Sequence, residues 1–475
     1  MEILVLEAST TSAKAMLYHT EDGTFETKVN EYGENIKNAK TSDEAENVFL
    51  QVMATGKELL AGRTKVDMIA LGGTWHSVML CDANMVPKTP VYLWNYTGAA
   101  NLCRDLRKDK NYVYQYYQRT GCMVNAIYPV FKLELLRRKG WKLEDYLFVS
   151  QGTYNTYRMT GRRVSTKCLS SGSGLLNIHT REYDPQILNE FGFHEEQLSQ
   201  LVEYDETFPL NDEAAKLLGL QSGIPVIPTN ADGGLNQVGV GALEKGVATF
   251  SVGTSGAIRL TTDQPILPEN PSTWCYLSPK SWLSGAATNG CCNCVDWVRT
   301  GFFPEGTTYR EIETEDTKID SNVAPVFLPF LYGERCPGWD DDRQGGFLGL
   351  LPQHKSVDLY HAVLEGVLFN LYHCYRILAD VNGEPKEIKI SGGILHSPLW
   401  KQMCADIFNR TLTIDNIDQG SLLGGAVLAM ELLGEINDVR DYRPNVVGVI
   451  TPNPKATEMY RKKFQRYLDY YKCTK

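Results

Sequence analysis

Two stretches of the chain share one pattern, and they lie near the starts of two roughly equal halves. The first is Leu4-Val5-Leu6-Glu7-Ala8-Ser9-Thr10-Thr11-Ser12-Ala13-Lys14-Ala15-Met16-Leu17. The second is Ala248-Thr249-Phe250-Ser251-Val252-Gly253-Thr254-Ser255-Gly256-Ala257-Ile258-Arg259-Leu260. Each runs from an apolar strand through a turn of small residues into a second strand, the pattern of a β-hairpin with a polar tip. A chain of 475 residues has room for two or three domains. The paired hairpins predict two, both α/β and each opening on a hairpin, spanning residues 1–243 and 244–475.

Other segments fit α/β halves. Val66–Leu71 and Lys386–Ser391 read as strands that run into Gly-Gly turns. From Asp358 to Leu378, apolar residues recur at helical spacing (Leu359, Val363, Val367, Leu371, Tyr375, Leu378), which predicts a long helix. Trp400–Phe408 and Leu422–Leu433 also read as helices. So does Lys455–Lys472, with Met459, Tyr460, Phe464, Tyr467, Leu468 and Tyr471 on one side. That last helix is free to pack on either half.

Composition narrows the function. Lys+Arg 47 against Asp+Glu 57 gives a net charge of −10. Nucleic-acid phosphates need clustered cations, so the balance argues against a nucleic-acid partner and for a small-molecule enzyme with a cleft. The start of the chain has no signal-peptide pattern, and no apolar run reaches the roughly 18 residues of a membrane span, which predicts a cytoplasmic protein with no membrane partner. The 12 cysteines are scattered, as reduced thiols would be. Cys291 and Cys294 have C-x-x-C spacing but no second pair, so they read as core or cleft-lining thiols rather than zinc ligands. P-loop, dinucleotide-binding, protein-kinase and nucleophile-elbow motifs are all absent. Any ATP chemistry needs another architecture.

Three places could hold chemistry. The hairpin tips present backbone N–H groups and hydroxyls without bulk, which suits phosphate, and two of them could clamp a polyphosphate from both sides. Any hairpin also needs small polar residues, and Lys14 reads equally as a solvated strand lysine. Asp232, in Thr229-Asn230-Ala231-Asp232-Gly233-Gly234, follows a strand and precedes a helix, so it is either an N-cap or a general base facing a cleft. The turn Ser391-Gly392-Gly393-Ile394-Leu395-His396-Ser397-Pro398 lets a flat group such as a purine approach the backbone, or is simply a tight strand-to-helix turn.

Taken in order along almost the whole chain, these segments resemble the FGGY family of carbohydrate kinases. Glu7-Ala8-Ser9-Thr10-Thr11-Ser12-Ala13-Lys14 resembles its first phosphate loop, D-x-G-T-T-S-x-K. Thr229–Gly233 matches the segment with the catalytic Asp, and Gly253-Thr254-Ser255-Gly256 the second phosphate loop. Phe327–Trp339 resembles the stretch P-x-x-x-G-E-R-x-P-x-W. Ser391-Gly392-Gly393 through Asp406 matches the adenosine region, with Leu423-Gly424-Gly425-Ala426 after it. His76-Ser77, Tyr332–Trp339, Leu364–Tyr372 and Trp400–Phe408 are most similar to the gluconokinase branch.

The resemblance implies two ribonuclease-H-like domains of the actin/Hsp70/hexokinase type with a cleft between them. It implies transfer of phosphoryl from Mg²⁺-ATP to a hydroxyl of a small sugar or sugar acid, gluconate first and a ketose such as xylulose second. Asp232 would be the base. Trp75, His76, Trp94 and Asp232 would line the acceptor site. Thr10, Thr11, Ser12, Lys14, Gly253, Thr254, Gly392, Gly393 and Ser397 would hold the nucleotide, and Glu7 and Asp232 the magnesium. A homodimer is compatible with it.

Two departures stand out. Glu7 and Ser9 replace the Asp and Gly of the first phosphate loop, which lengthens the acidic arm and adds a side chain near phosphate. Trp94-Asn95-Tyr96-Thr97-Gly98 replaces W-x-D-x-R, so an Asp has become Tyr96 and an Arg has become Gly98. A sugar acid is an anion and wants a cation nearby, which position 98 no longer supplies. The retained Asp232 favours an enzyme. Glu7 and Ser9 favour a catalytically weak nucleotide- or sugar-binding sensor of the same fold.

Overall fold

A computed structural model describes residues 1–37, 41–316, 319–417 and 419–474. Both hairpins form. Strands β1 (Glu2–Ala8) and β2 (Ser12–His19) pair antiparallel around the Ser9-Thr10-Thr11 tip. With β3 (Phe25–Glu31), β4 (Met68–Gly73), β5 (Phe208–Pro209) and β6 (Pro225–Ala231) they make a six-stranded sheet in the order β5-β6-β4-β1-β2-β3. The second hairpin is β7 (Val247–Val252) and β8 (Gly256–Thr262). It joins β9 (Trp274–Ser278), β10 (Ser281–Thr288), β11 (Glu387–Ser391), β12 (Leu412–Asp415) and β13 (Val446–Ile450) in the order β9-β10-β8-β7-β11-β12-β13.

The two sheets repeat one plan. In each, the hairpin's first strand lies parallel to the strand that ends in Gly-Gly: β1 to β4, and β7 to β11. A further parallel strand follows on the far side, β6 beside β4 and β12 beside β11. An antiparallel edge strand closes each set, β5 on β6 and β13 on β12. The burial of β1 and β4 on both faces explains their unbroken apolar runs.

Helices cover the sheets. Those used below are α1 (Pro129–Arg138), α2 (Asp232–Gly239), α3 (Cys292–Phe302), α4 (Ser356–Asn382), α5 (Pro398–Phe408), α6 (Gly420–Leu432) and α7 (Pro454–Cys473). Helix α6, from the second half of the chain, covers the first sheet: Leu422, Leu423, Ala426 and Val427 share a buried cluster with Val5, Ala70 and Ile227. It crosses α2 at very short range. A Cβ on Gly424 would lie 1.9 Å from the Leu235 carbonyl oxygen, and one on Gly239 would lie 2.0 Å from that of Gly420. Only glycine permits this approach. Helix α7 packs on the second half, with Tyr460 and Tyr467 against Phe369 of α4. Among the described residues no helix is long and apolar enough to cross a membrane.

Candidate active site

Asp232 stands at the end of β6 as the first residue of α2, with Ala231 in the capping position. Its Oδ1 accepts from the adjacent Gly233 N at 2.7 Å, and the helix makes no side-chain cap bond at Ala231. The carboxylate is therefore not spent as an N-cap. Burial, reinforced by the negative charge of Glu7, raises its pKa to about 6, while the Gly233 N–H and the cations Arg259 and Lys14 pull the other way. A carboxylate poised near neutrality between a second acid and two cations is what proton transfer at physiological pH requires.

Glu7 ends β1 and is buried. Its Oε1 accepts from Ser9 Oγ at 2.5 Å and lies 3.3 Å from Lys14 Nζ. Lys14 is thus ion-paired to Glu7 across the hairpin rather than simply solvated. Glu7 Oε2 is shut off from solvent and has no hydrogen-bond partner, and the buried hydroxyl of Tyr32 is in the same state. The glycines that end β4 leave room for the longer acid: a Cβ on Gly72 would sit 3.2 Å from Glu7 Cγ.

The first hairpin tip leaves Thr10 half-buried, Thr11 exposed and Ser12 buried. Trp94 Nε1 donates to Thr10 Oγ1 at 3.0 Å, which ties a candidate acceptor-site aromatic to the candidate phosphate loop. In the second tip, Gly253 N donates to Ser255 O at 3.1 Å and Thr254 is exposed. Cys292 N, opening α3, donates to Gly253 O at 2.9 Å. The Gly-rich turn after β11 lies against this tip. Gly392 has φ +94° with Val252 O 2.5 Å from where a Cβ would be, so no other residue fits there. Gly393 and Ser397 line a cavity of about 910 Å³ together with Cys292, Glu313, Tyr360 and Trp400. Ser397 also caps α5, its Oγ accepting from Trp400 N at 3.0 Å.

Trp75 and His76 follow β4. The Trp75 ring packs on α2, 2.3 Å from where a Cβ on Gly233 would lie, and its Nε1 donates to Cys168 O at 2.9 Å. His76 has φ 69°. Its Nδ1 lies 2.6 Å from the Gly172 carbonyl, an obligate acceptor, so Nδ1 holds the proton and Nε2 is left to accept. Burial lowers its pKa to about 3, so the ring is neutral.

Several contributors had no motif to announce them. Tyr276 of β9 lies 5.1 Å from the Trp75 ring and 5.4 Å from His76, and its hydroxyl meets that of Tyr128 at 2.7 Å. Lys132 of α1 is buried and donates to the carbonyls of His76 (2.7 Å), Leu93 (2.7 Å) and Tyr92 (3.4 Å). It pins both loops that present the candidate acceptor-site aromatics. Desolvation holds its pKa well below the ordinary lysine value. Arg259 lies near enough to Asp232, and Arg335 to His76, Tyr128 and Tyr276, for their charges to act on these groups. The only hint of Lys132 was a lysine on the apolar face of a helix.

The departures at 96 and 98 form one contact. The Tyr96 ring lies over Gly98, its hydroxyl 2.3 Å from where a Cβ there would be, and packs at a tilt against Tyr92, 4.7 Å between ring centroids. An arginine at 98 would collide with Tyr96 as it stands.

Models of the N-terminal and C-terminal domains of the FGGY family of carbohydrate kinases match residues 2–239 and 248–432. A gluconokinase of Bacillus subtilis (strain 168) is 28% identical over 482 residues, which cover 97% of this chain and 93% of that protein. The crystal structure of a gluconate kinase from Lactobacillus acidophilus superposes with a TM-score of 0.94 at 27% identity, covering 99% of this chain and 98% of the other. A ligand-bound xylulose kinase from Lactobacillus acidophilus does so with a TM-score of 0.93, also at 27% identity and with the same coverage. The backbone is equally similar to both kinds of kinase, so the choice of acceptor lies in the side chains.

Proposed function

Because the chain belongs to the FGGY family of carbohydrate kinases, whose domain models account for most of its length, we propose a kinase that passes the γ-phosphoryl group of ATP to a hydroxyl of a sugar acid, with gluconate the leading acceptor. The observation that supports this most is the Glu7–Asp232 carboxylate pair beside two small-residue hairpin tips. We place the division of labour near residue 243. Residues 1–243 would bind the acceptor and supply the base, and 244–475 would bind the nucleotide, with α6 linking the two through its crossing with α2. The cytoplasm, where ATP is abundant, is the proposed compartment.

In this reading Asp232 orients the acceptor hydroxyl and takes its proton as the oxygen attacks. Its raised pKa suits that exchange near neutral pH. Thr10, Thr11 and Ser12, with Gly253 and Thr254, supply hydroxyl and backbone donors to the phosphates, and Lys14 adds a cation. Gly392, Gly393 and Ser397 frame the purine beside the 910 Å³ cavity. Trp75, His76 and Trp94 line the acceptor, with His76 Nε2 accepting from a sugar hydroxyl. Such a site works by positioning and charge neutralisation around a loose transition state.

Magnesium fits the residues present. The unpartnered, buried Glu7 Oε2 is a hard oxygen ligand in need of a cation or donor. No group of three or more His, Cys, Asp or Glu side chains suited to a metal is assembled among the described residues. Glu7 and Asp232 would therefore hold the ion together with phosphate oxygens and water. Bound there, it would neutralise charge building on the transferred phosphoryl group.

A panel of sugars, polyols and sugar acids, assayed by coupled ADP release, tests the reading. Gluconate should stimulate turnover most, and Asp232→Asn should abolish most of kcat while ATP still binds. Stimulation by no compound would sink the kinase reading. Stimulation by xylulose alone would favour the second acceptor, which the likeness to the xylulose kinase structure supports.

A further inference from the structure

Two guanidinium groups in the cleft have no part in the chemistry described so far. Arg259 sits in mid-β8. Two residues on, and so on the same face, Thr261 donates to Ala242 O at 2.6 Å and accepts from Gln237 of α2 at 3.1 Å. Arg259 is thereby directed toward the helix that begins with Asp232. Arg335 lies in the loop beside β10. Its neighbour Cys336 donates from N to Ala287 O at 3.0 Å, and Ala287 pairs with Ala257, two residues before Arg259.

That loop is held rigidly. Glu334 is buried and accepts from Arg343 Nη1 (3.0 Å), the Tyr471 hydroxyl (2.6 Å) and Gly338 N (3.0 Å). Trp339 N donates to Arg335 O at 2.5 Å. In Gly333-Glu334-Arg335 the acid is thus turned inward as an anchor, and the arginine beside it is left without a partner.

Neither guanidinium has a hydrogen-bond or ion-pair partner among the described residues, and the Nε of each is sealed from solvent without an acceptor. Every other arginine among them that is not exposed reaches a carboxylate or a carbonyl. The two charges also sense each other: burial lowers the pKa of Arg259, Asp232 raises it, and Arg335 lowers it further. Arg335 acts likewise on His76, Tyr128 and Tyr276, the wall of the acceptor site. Two neighbouring cations with unsatisfied N–H groups are costly until an oxyanion joins them. The planar fork of arginine matches a carboxylate or a phosphate.

We infer that Arg335, with Arg259 beside it, receives the carboxylate of a sugar-acid acceptor. This supplies the cation that position 98 lacks, and it rests on the reading that the acceptor binds between Trp75, His76 and Asp232. The other oxyanion such a pair could take is the transferred phosphoryl group, and the test separates the two.

Calorimetric titration of gluconate and of ADP into the wild type, Arg335→Gln and Arg335→Lys is the experiment, with steady-state kinetics on gluconate and xylulose. Gluconate binding should weaken on the order of 100-fold in Arg335→Gln, the cost of removing one partner of a desolvated charge pair, and recover in part with lysine. ADP affinity should stay within about threefold, which also certifies the fold. Unchanged gluconate affinity overturns the inference. So does an equal loss of kcat on gluconate and xylulose, which would assign the arginines to the phosphoryl group. A wild type that phosphorylates xylulose but neither binds nor phosphorylates any sugar acid removes the sugar-acid acceptor and this inference, leaving the kinase. A wild type that phosphorylates nothing removes the kinase reading itself.

Discussion

Gly424→Ala should damage both stability and catalysis, for a reason that can be worked from the helix crossing. The added methyl would sit 1.9 Å from the Leu235 carbonyl oxygen, 2.6 Å from its carbon and 3.0 Å from its Cα. Ordinary contact begins near 3.4 Å, so one helix must retreat by 3.4 − 1.9, roughly 1.5 Å. The obstacle is main chain, which has no rotamer to turn aside. Overpacking of this kind costs about 1–3 kcal/mol. Against it stands the gain of alanine over glycine inside a helix, about 0.5–1 kcal/mol. The net is a loss of about 1–2 kcal/mol. Leu235 lies three residues beyond Asp232 on the short helix α2, so the retreat also moves the base. A misplacement of about 1 Å at a reacting group can cost on the order of 100-fold in rate. Gly301→Ala is the internal control. It lies near the end of α3 with nothing within 4 Å of a Cβ, and should stabilise by a few tenths of a kcal/mol. Urea midpoints and kcat for the two variants decide the matter. If Gly424→Ala matches Gly301→Ala in midpoint and keeps kcat within about twofold, the helices do not approach as described and the link between α6 and the base is wrong.

Three further outcomes follow from the same structure. Lys132→Met leaves the buried His76 carbonyl without a donor, while the Tyr92 and Leu93 carbonyls keep the N–H groups of Val78 and Tyr96, so it should lower stability by about 1–3 kcal/mol and raise KM for the acceptor while ADP affinity holds, read by denaturation and calorimetry. His361 bonds Asp316 (2.7 Å), Glu365 (3.1 Å) and Ser321 (2.6 Å), with Lys463 paired to Glu365 behind it. Burial lowers its pKa, but Glu365 and Asp316 outweigh that and hold it at about 9. Its contribution, on the order of 1–3 kcal/mol, is therefore full below pH about 6.5 and lost as pH rises through about 9. A thermal melt should show that alkaline drop in the wild type and a smaller one in His361→Gln. Glu7→Asp shortens the arm that Ser9 braces and should lower kcat, whereas Glu7→Asp with Ser9→Gly should recover part of the loss in the coupled assay.

The fold was legible because its signals are local and repeated. Two hairpin tips, two strands ending in Gly-Gly and the long period-3.6 run of α4 each need only a short window to be seen. Glu7, Asp232 and Gly393 are joined to those signals, which is why they stand out as candidates. Tyr276, Lys132 and Arg335 carry no such local signal. Their roles depend on contacts between segments far apart in the chain, as when Lys132 reaches back 56 residues to His76. Locally, Lys132 is one of several charged residues in a short helix, and Tyr276 one of two aromatics in a buried strand. Helix α6 fails for the same reason. Its sequence announces a helix, yet nothing in it says that its face belongs to the first sheet.

The departures from the family pattern change meaning once they are seen in contact. Ser9 and Glu7 are hydrogen-bonded at 2.5 Å, and Tyr96 fills the space that Gly98 vacates. Each pair is therefore one local solution rather than two independent losses. In the first pair, Ser9 and Lys14 hold one oxygen of the longer acid, and the other is left buried without a partner. An orphaned carboxylate oxygen costs about 1–3 kcal/mol or more, which a fold relieved of ligand binding would gain by losing it. Its retention beside Asp232 argues for a site that still takes up a cation and a phosphate. In the second pair, position 98 carries no cation, and Arg259 and Arg335 are without partners among the described residues. On the proposed reading, an anionic acceptor would find its cation at these arginines, one of which stands on β8 of the second sheet.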